Sequence, residues 1–270
     1  MKSRAPTAAD FETGRGLAFV LGAFRSGTTL LRKMLDSHSR VYSPAETWFL
    51  LPLLNMWEGT GESPVYKPGQ AAAAIKSHLS REQFVACCRA FAGRFYAANM
   101  PDGALVFVDK TPPYLPMAGA LRVLFPEAKF VVLARDPRGI LWSRHTWRHA
   151  EGAMLESQIG GVAGDVRRLG GFVREQGCCV VRYEELCTSA EDELRRVCAH
   201  LGLEFEPGMV AYGGREHHEG YGDENTRRFG RPHEGSVRRW EIPEAVEAEL
   251  MKMCGEESLE SLGYGGTVKV

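Results

Sequence analysis

"LAFVLGAFRSGTTLLRKML", residues 17–35, decides the fold. Its first five residues are all apolar, as in a strand buried on both faces. Leu30, Leu31, Met34 and Leu35 then recur at helical spacing. Between strand and helix, residues 22–28 form a glycine loop. Strand, glycine loop and helix in that order make an anion site, because loop N–H groups and the positive end of the helix point at one spot. Gly22 and Gly27, followed by Thr28 and Thr29, nearly complete the phosphate-loop pattern GxxxxGK followed by Ser or Thr. The lysine is missing. Thr28 stands in its place, and positive charge enters earlier, at Arg25.

That substitution narrows the anion. A nucleoside triphosphatase needs the loop lysine on the terminal phosphates, a hydroxyl on Mg²⁺ and an acidic residue after a second strand. "FVVLARD" (130–136) imitates the last feature, but Arg135 sets positive charge where the metal would sit. A donor with one fewer charge and no metal fits better. His145 and His149 are spaced for a metal on one helix face, but no third ligand stands at a telling distance, so no metal is expected.

The rest of the chain repeats the alternation. A short strand is expected near "RVYSP", and others in "LVFVDKTPPYL" (105–115), "KFVVLA" and "CCVVRYEEL". Asp136 and Pro137 open a helix as N-cap and first residue, Ser80 with Gln83 opens another, and "SAEDELRRVCAHLG" ends a third at Gly202. Strands alternating with helices predict an α/β fold: a P-loop-like parallel sheet of about five strands, flanked by helices on both faces, in one domain over 1–270. Residues 1–15 read as a loose tail. Residues 211–239 lack apolar periodicity and carry several arginines, which predicts a mobile loop closing over an anionic ligand.

Bulk properties exclude more than they assign. A net charge of −1 provides no basic field for nucleic acid or a membrane surface. "LAFVLGAF" is far shorter than the roughly 20 residues that span a bilayer, and the first residues lack the apolar core of a secretory signal. The 7 cysteines include no CxxC pair, so buried thiols in a reducing cytoplasm are expected. Arginine far outnumbers lysine, which points to a bacterial source and a role in tailoring natural products. Oligomeric state is not legible.

"FVLGAFRSGTTLL" together with "FVVLARDPRGILWSRHTW" resembles the family of sulfotransferases that use 3′-phosphoadenosine 5′-phosphosulfate (PAPS). The resemblance implies that Arg25, Ser26, Gly27, Thr28 and Thr29 grip the 5′-phosphosulfate, while Arg135 and Ser143, eight residues on, hold the 3′-phosphate. Arg25, where the cytosolic branch has Lys, is similar to the carbohydrate, tyrosylprotein and bacterial branches. "RVYSPAETWF" resembles the segment carrying a catalytic glutamate, which implies Glu46 as general base. "VVRYEEL" implies Tyr183 near the adenine, and "GSVRRW" implies Ser236, Arg238 and Arg239 closing over the nucleotide. Residues 50–105 match nothing and are expected to set acceptor specificity.

Sulfuryl transfer in line between two oxygens depends on positioning and on stabilising the leaving phosphate. Lys110, at the carboxyl end of a strand, is expected to supply a second cation beside the sulfuryl group. His38 and Asp109 are alternative bases. Two other functions share much of this sequence logic: a P-loop kinase or NTPase, and a non-catalytic nucleotide-binding protein. The expected acceptor is a hydroxyl on a small molecule, sugar or phenol.

Overall fold

Strand β1 (Leu17–Gly22) is buried along its whole length, and its alternate residues feed two cores. Leu17, Phe19 and Leu21 join one apolar cluster, while Ala18 and Val20 join the other. A central strand covered on both faces explains why residues 17–21 carry no polar alternation. The computed structural model describes residues 4–147, 154–175, 177–214, 216–217, 226, 229–237 and 240–266.

Five parallel strands make one sheet: β1, β2 (Val41–Tyr42), β3 (Val106–Asp109), β4 (Lys129–Ala134) and β5 (Cys178–Arg182). Their spatial order is β2-β3-β1-β4-β5. The chain fills one side of β1 and then crosses to the other. The crevice at the carboxyl end of β1 is therefore a topological switch point, where open α/β sheets bind ligands. Phe19 lies level with Asp109 of β3, and Gly22 level with Leu133 of β4.

Helices cover both faces. On one lie α1 (Ala8–Thr13), α5 (Arg81–Asn99), α7 (Pro137–His145), α8 (Ile159–Arg174), α11 (Glu244–Cys254) and α12 (Glu256–Ser261). On the other lie α2 (Thr28–Asp36), α9 (Tyr183–Thr188) and α10 (Ala190–Leu201). Three further helices, α3 (Leu50–Glu58), α4 (Pro68–His78) and α6 (Ala118–Leu124), complete the described set. The local start and stop signals act as the sequence predicts. Asp136 caps α7 by accepting from Arg138 N–H, Ser80 and Gln83 form a reciprocal capping box at α5, and Gly202 ends α10 in the left-handed region.

Two expectations need correction. Residues 1–15 are not a loose tail over their described part. Thr7 and Asp10 form a capping box that starts α1, and Phe11 is fully buried beside Tyr96 of α5. Helix α5 accepts α1 because Gly93 lets the backbone in: a Cβ there would lie 2.5 Å from the Ala8 carbonyl oxygen. In the segment 211–239, Tyr212 and His217 are packed against the fold rather than splayed into solvent. Tyr212 is buried, Gly213 N–H donates to the Gly230 carbonyl, and His217 sits 2.7 Å from Asp36 at the end of α2. Among the described residues no helix is long and apolar enough to cross a membrane.

Candidate active site

Each of the five strands hands one sequence-nominated residue to the same edge of the sheet. Arg25 follows β1, Glu46 follows β2, Lys110 follows β3, Arg135 follows β4, and Tyr183 follows β5.

The loop after β1 is shaped by its backbone. Arg25 has φ 71° and Gly27 φ 98°. A left-handed non-glycine residue costs about 1–3 kcal/mol, and such strain collects where a ligand is clamped. Gly27 is required twice over, since a Cβ there would also lie 2.4 Å from Tyr183 Cδ2. Thr28 and Thr29 are the first two residues of α2, and no side chain caps that helix start. Ser26 is fully buried, and its hydroxyl has no hydrogen-bond partner among the described residues. A buried hydroxyl without a partner costs about 1–3 kcal/mol. Beside an uncapped helix start it fits an anionic group of a substrate. Gly22 keeps that hydroxyl in place, because a Cβ there would lie 2.8 Å from Ser26 Oγ.

Side chains from the residue after β4, from α7 and from α9 close around this loop. Arg25 Nε donates to Ser143 Oγ at 3.2 Å, and Arg135 Nη1 donates to the Arg25 carbonyl at 2.9 Å. The Arg135 guanidinium lies over the Tyr183 ring at 4.3 Å, and that of Arg25 faces Trp147 at 5.4 Å. Asp136 pairs with Arg138 at 2.6 Å and Glu127 with Arg15 at 3.1 Å. Tyr183, expected on a strand, is instead the first residue of α9, one step beyond β5.

Glu46 and Lys110 meet directly. Lys110 Nζ donates to Glu46 Oε1 at 2.6 Å, with side-chain exposures of 1% and 10%. Burial pulls the Lys110 amine below the usual lysine range, and the adjoining Glu46 carboxylate pulls it back up. The Trp48 indole Nε1–H donates to the other oxygen, Glu46 Oε2, at 3.1 Å. Trp48 also has a left-handed backbone, φ 58°, and the residue is 43% exposed. Arg32, a cation within the apolar run of α2, donates to the carbonyls of Ser43 and Pro44 at 2.7 and 3.2 Å and so holds the strand end that leads to Glu46. Neither Trp48 nor Arg32 was nominated from the sequence. The only hint was a buried-helix position filled by arginine.

The alternative bases sit differently. His38 lies past the far end of α2, its Nε2 against the Glu204 carbonyl and its Nδ1 against Arg40 N–H. Asp109 lies beneath the Glu46–Lys110 pair and is 1% exposed. Burial raises its carboxyl to about 6, against hydroxyl donors from Thr47, Tyr96 and Thr111 that pull it down. Ser236 ends a short turn, Glu234–Ser236, that packs on α9. Arg238 and Arg239, with His149, lie outside the described residues. Among the described residues no three His, Cys, Asp or Glu side chains converge as a metal ion would require.

A profile of the sulfotransferase family matches residues 18–207. The chain belongs to the sulfotransferase family. It is 28% identical to nodulation protein NoeE of Sinorhizobium fredii over 92% of this chain and 66% of that one. It is 32% identical to protein-tyrosine sulfotransferase 2 of Gallus gallus over 75% of this chain and 54% of that one. The chain thus spans less than two thirds of either relative. Among solved structures, the sulfotransferase domain from the curacin biosynthetic pathway superposes with a TM-score of 0.65 at 21% identity, over 92% of this chain and 98% of that one. That likeness is one of fold: the parallel sheet and its flanking helices are those of a sulfotransferase.

Proposed function

We propose that this sulfotransferase-family chain moves a sulfuryl group from PAPS to a hydroxyl acceptor, in line and without a metal. One observation carries the reading. Arg25, Ser143, Arg135 and Tyr183 form a single contact cluster around the loop after β1, while Glu46 and Lys110 pair at the ends of the two strands on one side of it.

The nucleotide supplies an activated sulfuryl group on its 5′-phosphate, and the residues divide the remaining work. Loop N–H groups, the Ser26 hydroxyl, Thr28, Thr29 and Arg25 bind the phosphosulfate and stabilise the leaving phosphate oxygen as the sulfur–oxygen bond breaks. Arg135 and Ser143 bind the 3′-phosphate, and Tyr183 lies by the adenine. The acceptor oxygen bonds to sulfur, and its proton passes to Glu46. Lys110, held against Glu46, offsets the negative charge spread over the sulfuryl oxygens. Ser236, Arg238 and Arg239 close over the nucleotide. Residues 50–105, which include α3, α4 and α5, carry the acceptor surface, where Met56 of α3, Tyr66 of the loop before α4 and Phe91 of α5 are exposed. One domain does all this, in the cytoplasm, which suits seven free cysteines. Relatives named for tyrosine and a fold neighbour from a natural-product pathway support a phenolic or small-molecule hydroxyl.

The test incubates the protein with PAPS, EDTA and a panel of sugars, phenols, tyrosine peptides and lipid-linked alcohols. An acceptor gaining the mass of one SO₃ is expected. No gain with any acceptor, together with preferential thermal stabilisation by ATP–Mg²⁺ over adenosine 3′,5′-bisphosphate, contradicts the reading and favours a kinase-like enzyme.

A further inference from the structure

Beneath the Glu46–Lys110 pair, one buried carboxylate holds the residue that follows each of them. Asp109 Oδ2 accepts from Thr47 Oγ1 at 2.7 Å and from Tyr96 OH at 2.9 Å, and its Oδ1 accepts from Thr111 Oγ1 at 2.9 Å. Thr47 N–H closes the ring by donating to Thr111 Oγ1 at 3.1 Å. Thr47 comes directly after Glu46, and Thr111 directly after Lys110. Tyr114 OH, 2.9 Å from Thr47 Oγ1, accepts Leu50 N–H at 3.2 Å and anchors the start of α3 to the same cluster.

The arrangement is expensive if its purpose is stability alone. A buried carboxylate is best compensated by a cation or replaced by apolar packing. Here every direct partner is a neutral hydroxyl, while the nearby cation, Lys110, is bonded to Glu46 instead. What the carboxylate adds is reach: beyond the strand pairing at Val41–Tyr42 and Val106–Phe107, its two oxygens reinforce the Ser43–Val108 and Thr47–Thr111 bonds that join the two loops.

We propose that Asp109 is a positioning residue that fixes Glu46 and Lys110 relative to one another by clamping Thr47 and Thr111. The inference rests on Glu46 and Lys110 being the transfer residues. Asp109 does not meet substrate. It sets where the base and the cation stand, and an error of about 1 Å in such a placement can cost 10²-fold in rate.

The experiment compares steady-state sulfuryl transfer by the wild type, Asp109→Asn, Thr47→Val and Thr47→Ser, with adenosine 3′,5′-bisphosphate affinity measured on each. Thr47→Val keeps the shape and removes the hydroxyl, while Thr47→Ser keeps the hydroxyl. Asp109→Asn and Thr47→Val are expected to lower kcat about tenfold to 10²-fold, leaving the KM for PAPS and the bisphosphate affinity within about twofold. Thr47→Ser is expected to recover most of the loss. The proposal is overturned if Thr47→Val turns over as fast as the wild type, or if kcat and nucleotide affinity fall together. Should Asp109→Asn fail to fold, the Thr47 pair decides. A wild type that transfers nothing overturns the functional reading itself, which differs from a wild type that is active and a Thr47→Val variant that is equally so.

Discussion

The two halves of the site are built from different materials. Around the loop after β1 the floor of the cradle is local and mostly backbone, with left-handed turns at Arg25 and Gly27, an uncapped helix start and a buried hydroxyl all within residues 22–29. To this floor Arg135 and Ser143 are brought from afar. Around Glu46 the chain relies on side chains brought together across long sequence distances: the Glu46–Lys110 bond spans 64 residues, and the Thr47–Asp109 bond 62. The first kind of site is damaged by adding an atom where none fits as well as by removing one of its arginines, the second by removing a charge or a hydroxyl. The difference also separates their tasks, since a backbone cradle binds an anion without titrating, whereas a carboxylate and an amine can move or offset a proton.

The sharpest way to break that division is Glu46→Gln. It is expected to lower the rate of transfer by about 10²–10⁴-fold while leaving bisphosphate affinity unchanged. Steady-state kinetics alongside calorimetry checks it, and a matching loss of affinity would mean that the halves are not separate.

A pH comparison of the wild type with Asp109→Asn probes the side-chain half alone. Burial lifts the Asp109 carboxyl from 3.8 to about 6 in the folded protein. Between those values the folded state holds a proton that the unfolded chain has already lost, so stability falls as pH rises through the window. The wild type is therefore expected to lose up to about 3 kcal/mol relative to Asp109→Asn between about pH 4 and 6, and nothing further above it. Denaturant midpoints of the two proteins across that range measure the difference. A constant offset would show that Asp109 does not titrate there.

Gly27→Ala attacks the backbone half. The new Cβ meets Tyr183 at a residue with φ 98°, so a loss of about 1–3 kcal/mol in stability is expected. Bisphosphate affinity should fall about tenfold as Tyr183 and Arg135 are displaced, with kcat at saturating PAPS largely retained. Calorimetry and kinetics on the same preparation separate the two effects.

Legibility in the sequence follows the same line. The loop, its strand and its helix could be read because every determinant lies within a few residues, as do the Asp136–Pro137 and Ser80–Gln83 helix starts. Glu46 and Lys110 were each nominated, but not as partners, because only the adjacency of β2 and β3 joins them. Asp109 is named from the sequence only as an alternative base, and its burial under three hydroxyls depends on Thr47 and Tyr96, which lie far from it in the chain. Trp48 gave no signal at all, since neither its left-handed backbone nor its bond to Glu46 follows from residue type. Helix α1 was hidden for another reason. Phe11 is its one large apolar residue, and the groove that receives it is made by Gly93, far along the chain.

The most direct measurement is a calorimetric titration of adenosine 3′,5′-bisphosphate, in EDTA, into the wild type, Arg25→Ala and Arg135→Ala. Binding by the wild type and a loss of about tenfold or more in each variant are expected, since each removes a charge-assisted contact to one nucleotide. Wild-type affinity in either variant would contradict the claim that a single sulfated nucleotide spans both arginines.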